Sequence, residues 1–230
     1  MKVMKKIGLL GGMSWESTVI YYQLLNRMAR DQLGGLHSAD LLLWSFDFAV
    51  IERYQSDGDW DGVTKLMVDA AQSLERGGAE CLLICTNTMH KMAEAVQASI
   101  NIPLIHIADS TAPAIKEAKV NSPLLLATRY TMEQDFYKGY LKKHHNIDVV
   151  TPDDEGRTVV HDIIYAELCR GVVLPESKDQ YLKVVERTGA DGVIFGCTEV
   201  GLLLSQSDLA VPAFDTTQLH AQAALSYALQ

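Results

Sequence analysis

Short apolar runs alternate with amphipathic stretches along almost the whole chain. Residues 6–12 form an apolar run that ends in a glycine turn, and the following residues show helical periodicity to about Arg30. Further strands are predicted at 40–46, 81–85, 102–107, 123–128, 148–150, in the run that ends at Cys197, and at 211–215. Further helices are predicted at about 60–76, 87–99, 110–118, 132–143, 158–169 and 176–188, with one more after the last strand. This alternation predicts an α/β protein whose parallel strands are joined by right-handed crossovers.

The order of elements in the first half of the chain recurs in the second half, and corresponding positions are separated by a nearly constant number of residues. The paired landmarks are Gly11 with Thr128, Cys85 with Cys197, and Pro103 with Pro212. We therefore expect two similar subdomains, each a parallel sheet flanked by helices, related by a pseudo-two-fold axis with the active site between them. The first is expected at residues 1–112, completed by 212–230, and the second at 113–211.

Composition places the chain among ordinary globular proteins. The hydrophobic fraction of 48% and the charged fraction of 21% exclude disordered and fibrous classes. The 29 acidic and 20 basic residues give a net charge of −9 without a basic cluster, so nucleic acid is not expected as a partner. No apolar run approaches the length of a membrane span, and the first residues do not resemble a signal peptide. These features predict a cytoplasmic protein that has no membrane partner.

The cysteines are the candidate chemistry. There are four, at positions 81, 85, 169 and 197, and their spacing in a cytoplasmic chain favours thiols over disulfides. Cys81 and Cys85 have no matching Cys/His pair nearby, so a zinc site is not expected. The glycines after the first strand do not follow the G-x-G-x-x-G pattern, which argues against a dinucleotide cofactor.

Cys85 and Cys197 each stand where a predicted strand gives way to a helix. Unpaired backbone N–H groups and the positive end of the helix dipole at such a position favour the reactive thiolate. Small polar residues that cap helices follow both cysteines, and their donors could hold a carboxylate. These residues are Thr86, Asn87, Thr88 and Thr198.

Two thiols on opposite walls of one cleft fit the inversion of a stereocentre with an acidic C–H bond. One group must remove a proton from one face while the other delivers a proton to the opposite face. One thiol must then be ionised and the other protonated, and the roles exchange with the direction of the reaction. Helix N-termini and the Asn and Thr donors could stabilise the developing carbanion.

Three motifs stand out at the ends of predicted strands: Gly11-Gly12-Met13-Ser14-Trp15-Glu16-Ser17-Thr18, Cys85-Thr86-Asn87-Thr88-Met89-His90 and Gly196-Cys197-Thr198-Glu199. Together they resemble the motifs of the aspartate/glutamate racemase family, in particular its aspartate-racemase branch of broad amino-acid racemases. The resemblance implies a cofactor-independent amino-acid racemase, usually a homodimer, in which Cys85 and Cys197 are the acid/base groups. It also implies a set of substrate-holding residues. They are Met13, Ser14, Asn87, Thr88, Thr128 and Thr198.

The chain departs from the aspartate-racemase pattern near residue 162. Basic residues are typical of the second-strand loop and of the helix near residue 162 in that branch, whereas this chain offers Arg53 and Asp162. A strict preference for acidic side chains is therefore not implied, and Arg129 beside Thr128 is another candidate for binding a carboxylate. Since some relatives with a single cysteine are decarboxylases or isomerases, a cysteine-dependent decarboxylase or cis-trans isomerase is an alternative.

Two further alternatives are a redox pair of thiols and a non-catalytic amino-acid-binding protein. Other residues have ordinary structural interpretations. Cys81 and Cys169 are expected to be core residues, and His90 a packing or hydrogen-bonding residue. Glu199 could influence Cys197 electrostatically or could simply cap the helix that follows.

Overall fold

A computed structural model describes residues 4–230. Residues 1–3, the start of the predicted first subdomain, lie outside the described residues. The chain divides into two compact units. The first unit consists of two segments, the chain up to His106 and His220–Gln230. The second unit is Ile107–Leu219. The sequence placed these boundaries after residue 112 and at residue 212.

The first unit is built around a three-stranded parallel sheet. Its elements are β1 (Ile7–Gly11), α1 (Trp15–Leu33), β2 (Leu41–Ser45), α2 (Phe48–Ser56), α3 (Trp60–Arg76), β3 (Cys81–Ile84), a 3₁₀ helix (Thr88–Met92) and α4 (Ala93–Ala98). The strand order is β2-β1-β3. The strand predicted at 102–107 is reduced to one bridge between Leu82 and Leu104. Pro103, which has no N–H to donate, precedes this bridge and limits further pairing.

Alternate residues of the first sheet pack on opposite sides, as expected for parallel strands that are covered on both faces. Leu10, Leu82 and Ile84 face one hydrophobic cluster, which includes residues of α2 and α3. Cys81 and Cys85 face the other cluster, which includes residues of α1 and of the C-terminal helix.

The second unit repeats this plan. Its elements are α5 (Ile107–Glu117), β4 (Leu124–Leu126), α6 (Arg129–Glu133), α7 (Asp135–His145), α8 (Asp154–Ala166), a 3₁₀ helix (Leu168–Arg170), α9 (Pro175–Thr188), β5 (Val193–Phe195), α10 (Val200–Leu203), a 3₁₀ helix (Gln206–Asp208) and β6 (Ala213–Asp215). The last helix, α11 (Thr216–Ala228), begins in this unit and belongs to the first unit from His220 onward. The parallel sheet has the order β4-β5-β6. The strand predicted at 148–150 is reduced to one bridge between Leu124 and Val150.

Local signals explain most of the element boundaries. The Ser14 hydroxyl accepts a hydrogen bond from the backbone N–H of Ser17 at 3.2 Å, which is the predicted start of α1. The helix predicted at 158–169 begins earlier, because Asp153 caps it by accepting from the N–H of Gly156 at 2.8 Å. It also ends earlier, at Ala166.

The predicted α/β class, with two parallel sheets flanked by helices, is confirmed, and each sheet has three strands. Among residues 4–230 there is no helix that combines the length and the apolar character needed to cross a membrane.

Candidate active site

Cys85 lies at the carboxyl edge of the first sheet. Leu10 of β1 pairs with Ile84 of β3, and the backbone N–H of Cys85 donates to the Leu10 carbonyl at 2.9 Å. The next residues of the two strands, Gly11 and Cys85, are therefore neighbours. Because the strands are parallel, the loop that leaves β1 and the segment that follows β3 start from the same edge.

The loop after β1 carries Met13 and Ser14, both of which are buried. The Thr18 side chain holds this loop, since its hydroxyl accepts from the N–H of Gly12 at 2.8 Å and donates to the Ser14 carbonyl at 3.0 Å. Gly12 has a φ of 82°, and a Cβ at this position would collide with the backbone of Phe46. The turn thus requires a glycine.

Asn87 and Thr88 follow Cys85 and are buried. They lead into the five-residue 3₁₀ helix rather than directly into the α-helix predicted from residue 87. His90 lies in this short helix, and its Nδ1 donates to the Thr86 carbonyl at 2.8 Å. Burial holds the pKa of His90 well below its ordinary value. The His90 ring is therefore neutral, and its hydrogen bond to the Thr86 carbonyl stabilises the segment after Cys85.

A second buried histidine, His220, contacts His90 of this segment and was not singled out by the sequence analysis. His220 Nε2 donates to the Ile105 carbonyl at 2.6 Å, and its Nδ1 accepts from the Tyr21 hydroxyl at 2.8 Å. The two partners fix one neutral tautomer. The His90 and His220 ring centroids are 5.6 Å apart, so the two rings belong to one cluster.

Cys197 lies at the corresponding edge of the second sheet. Leu126 of β4 pairs with Phe195 of β5, and the N–H of Gly196 donates to the Leu126 carbonyl at 2.8 Å. Thr128 lies two residues after Leu126, and Cys197 lies two residues after Phe195. Both therefore stand just past the carboxyl ends of adjacent strands. Thr128 and Thr198 are buried, and the Thr128 hydroxyl lies 3.2 Å from that of Thr131.

The Cys197 thiol is hydrogen-bonded to a buried carboxylate. Its Sγ donates to Oε2 of Glu199 at 3.0 Å. Cys169 Sγ lies 3.9 Å from Oε1 of the same carboxylate. Cys169, interpreted from sequence as a core residue, comes close to Glu199 because α8 ends at Ala166 and the chain then turns through a 3₁₀ helix. No local sequence pattern indicates this contact.

Both candidate thiols are protonated in this environment. Burial raises the pKa of the Cys85 thiol. Burial, followed by the charge of Glu199, holds the pKa of Cys197 well above its ordinary value. The expectation that each strand end would favour thiolate is therefore wrong for the resting protein. The helical segments after the two cysteines have only five and four residues, too few for a strong dipole to offset burial.

A cavity of about 440 Å³ in the second unit is lined by residues that follow β4 and by residues of α8. The lining residues are Arg129, Tyr130, Glu133, Gln134, His161 and Asp162. The Arg129 guanidinium donates to the Thr158 hydroxyl at 3.3 Å, and its backbone N–H donates to His161 Nδ1 at 3.2 Å. Arg129 and Asp162 thus line one cavity, whereas Arg53 is exposed on the last turn of α2 in the other unit.

All four cysteines lie among the described residues and carry thiols rather than disulfides. Within residues 4–230, no group of three or more His, Cys, Asp or Glu side chains is arranged to hold a metal ion.

The sequence of this chain resembles the sequences of known racemases. The sequence model of the Asp/Glu/hydantoin racemase family matches residues 10–224. The broad specificity amino-acid racemase RacX of Bacillus subtilis is 24% identical over 170 residues, which cover 73% of this chain and 73% of RacX.

Two crystal structures resemble the whole chain. A candidate Asp/Glu racemase from Yersinia pestis is 52% identical, with a TM-score of 0.91 over 99% of this chain and 100% of its own. An aspartate racemase homologue from Pyrococcus horikoshii is 35% identical, with a TM-score of 0.85 over 99% of this chain and 100% of its own.

Proposed function

Because the chain belongs to the Asp/Glu/hydantoin racemase family, we propose that it racemises free amino acids without a cofactor, with Cys85 and Cys197 as the two acid/base groups. One observation carries the proposal. Each cysteine follows a parallel strand at the carboxyl edge of its sheet, beside a second strand end that leads to a buried hydroxyl residue, Ser14 in the first unit and Thr128 in the second. Open α/β sheets bind their ligands at this edge.

The polar residues around each thiol suit an amino acid. In the first unit, Ser14, Asn87 and Thr88 offer hydroxyl and amide groups that can bind an α-carboxylate or an α-ammonium group. In the second unit, Thr128 and Thr198 do the same. Hydrogen bonds to the carboxylate stabilise the carbanion that forms when the α-proton leaves.

The substrate set is proposed to include aspartate and glutamate and to extend beyond them. Arg129 can bind a carboxylate, whereas Asp162 in the same cavity repels one. A cavity with both charges favours no single side-chain charge. The similarity to a broad specificity racemase is consistent with this range.

The deciding experiment incubates the protein in D₂O with single enantiomers of several amino acids and no added cofactor. We expect optical purity to fall and deuterium to appear at Cα, first in the enantiomer that is formed. A thiol that has taken a proton returns the same proton if the substrate reverts, whereas the opposite thiol delivers deuterium from solvent. Treatment with hydroxylamine, which would remove a pyridoxal group, should leave the rate unchanged.

Cysteine variants give the matched comparison. Cys85→Ser and Cys197→Ser should each slow racemisation by roughly 10²–10⁴-fold, since each removes one acid/base group. Cys81→Ala, which alters a buried thiol four residues before Cys85 on the same side of the sheet, should retain activity. Full activity in either serine variant would show that two opposed thiols are not the mechanism.

A further inference from the structure

Glu199 is placed in contact with the candidate acid/base thiol of the second unit. Its side chain is 2% exposed, and its Oε2 accepts the Cys197 hydrogen bond at 3.0 Å. A carboxylate is rarely buried unless it is paired or hydrogen-bonded, because removing its charge from water is costly. The arrangement therefore calls for a role beyond packing.

Helix capping does not account for this side chain. Glu199 occupies the N-cap position of α10, but its side chain makes no capping hydrogen bond to the helix backbone. Its two carboxylate oxygens are instead directed to sulfur atoms. Oε2 accepts from Cys197, and Oε1 lies 3.9 Å from Sγ of Cys169.

We propose that Glu199 is a positioning residue that holds the Cys197 thiol and accepts its proton when Cys197 acts as the base, with Cys169 as a second thiol on the same carboxylate. This inference rests on the proposed racemase function. It supplies what that function requires, because a thiol cannot abstract an α-proton until it has lost its own proton.

The proton transfers balance as follows. The S–H bond of Cys197 breaks, its proton moves to Oε2 of Glu199 and the electron pair stays on sulfur. The thiolate then takes the α-proton, and the C–H electron pair stays on the substrate as the carbanion. Cys85 donates its proton to the opposite face and becomes thiolate. Glu199 then releases its proton to solvent and Cys85 takes up a proton from solvent, which restores the resting state.

Among the charged and titratable groups around Cys197, Glu199 has the largest effect on the pKa of the thiol. Burial and then the Glu199 charge raise the pKa of Cys197, while the backbone N–H of Glu199 acts on the sulfur in the opposite direction. Cys169 adds a smaller effect. The charges of Cys197, Glu199 and Glu167 act in turn on Tyr181, whose hydroxyl donates to the Val160 carbonyl at 3.0 Å, and Glu167 accepts from Ser177.

The test measures how fast methyl methanethiosulfonate modifies Cys197 between pH 6 and pH 11, a range that extends into the alkaline region because the pKa of this thiol is raised; modification is read on the Cys197 peptide by mass spectrometry. Glu199→Gln removes the neighbouring charge, so the midpoint of the pH profile should fall by about one pH unit or more, which is about tenfold at a fixed pH below the midpoint. A purely structural role would change the modification rate equally at every pH.

Two control variants accompany it. Glu199→Asp keeps the charge and should retain most of the wild-type profile. Cys169→Ala removes the second thiol but leaves the carboxylate beside Cys197, so it should shift the midpoint less than Glu199→Gln does. If the midpoint is the same in wild type and Glu199→Gln, or if Cys169→Ala shifts it further, the proposal is wrong.

A vibrational measurement on the unmodified protein covers the case in which Glu199→Gln does not fold. Hydrogen bonding to a carboxylate should lower the S–H stretching frequency of Cys197 below that of Cys81, with the bands assigned from Cys197→Ser and Cys81→Ala. Equal frequencies would contradict the hydrogen bond and the proposal with it.

Racemisation kinetics separate the two proposals. Glu199→Gln should lower kcat in both directions by roughly 10²-fold with little change in KM, since the equilibrium constant between enantiomers fixes the ratio of the two directions. If no amino acid is racemised but the thiol profile shifts as expected, the racemase proposal fails and the Glu199–Cys197 relationship stands. If racemisation occurs and the profile does not shift, only the Glu199 proposal fails.

Discussion

At the scale of single residues, burial decides the resting state of each candidate group. Cys85 is 1% exposed and Glu199 is 2% exposed, so water contributes little to the solvation of either. Transfer of a proton between neighbours costs less in such a site than creation of an isolated charge. The second unit provides this neighbour for Cys197 in the Glu199 carboxylate.

His220 gives a prediction about the pH dependence of stability. Burial lowers its pKa to about 4, and in the unfolded chain it has its ordinary value of 6.5. Above pH 6.5 the ring is neutral in the folded and in the unfolded chain. As the pH falls from 6.5 toward 4, the unfolded chain binds a proton that the folded protein does not bind, and the free energy of unfolding decreases. We expect the free energy of unfolding to drop by roughly 3 kcal/mol from this residue between pH 7 and pH 4.

Urea denaturation at a series of pH values measures this effect. His220→Gln carries no ionisable group at this position, so its stability should fall less steeply over the same range. It should also be less stable at pH 7, because Tyr21 and the Ile105 carbonyl lose a well-placed partner. Parallel pH profiles for the two proteins would assign the acid sensitivity to other groups, of which buried His90 is the first candidate.

At the scale of elements, very short strands are sufficient to place the candidate site. β4, β5 and β6 have three residues each. Their register nevertheless fixes which residues leave the sheet side by side, because parallel strands in register end at a common edge. Most of the remaining backbone is helical, and the helices cover the buried faces of the sheets.

The C-terminal helix α11 is the element whose integrity we expect to matter most for the first unit. It contributes His220 to the histidine cluster and Ala221, Ala224 and Leu225 to the hydrophobic cluster beside α1. Gln222 lies among them on the exposed face. Gln222→Pro should lower the free energy of unfolding by about 3 kcal/mol or more, because proline removes a helical hydrogen bond and clashes with the preceding turn.

Thermal unfolding followed by circular dichroism measures this effect, with Gln222→Ala as the matched control. Alanine favours helix at an exposed position and should leave the melting temperature unchanged or slightly higher. A melting temperature for Gln222→Pro equal to that of the control would show that α11 is dispensable for the stability of the first unit.

At the scale of the whole molecule, the two units use one structural plan. Each has a three-stranded parallel sheet, and each carries one candidate cysteine just past the carboxyl end of a strand: Cys85 directly follows β3, and Cys197 is the second residue after β5. The two sites are not equivalent in their surroundings. Cys85 is followed by an amide and a hydroxyl, whereas Cys197 is hydrogen-bonded to a carboxylate. This difference predicts unequal reactivity of the two thiols.

The oligomeric state remains a prediction from the family resemblance, which implies a homodimer. We expect sedimentation equilibrium at micromolar concentration to give twice the mass of one chain. Two large side chains, Trp15 and Tyr22, are 63% and 55% exposed in the single chain and lie two turns apart on one face of α1, where a second copy could cover them. A concentration-independent monomer would contradict the prediction.

Local sequence patterns were sufficient to predict the α/β class, most of the alternation of strands and helices, and the position of both cysteines at strand ends. Apolar periodicity and turn residues act over short windows, so Ser14 and the glycines after β1 could be interpreted locally. The bridges at Leu104 and Val150 replaced predicted strands, because strand pairing depends on a partner that is distant in the chain.

The ionisation and the hydrogen-bond partners of the site residues depend on tertiary contacts that local sequence patterns do not reveal. The Tyr21–His220 hydrogen bond joins residues 199 positions apart, and the Cys169–Glu199 contact joins residues 30 positions apart. Sequence analysis left Glu199 between helix capping and an electrostatic role, and it predicted thiolate where burial leaves thiol. The physical reason is that burial and long-range contacts set the energy of a charge, and neither is encoded in the residues beside it.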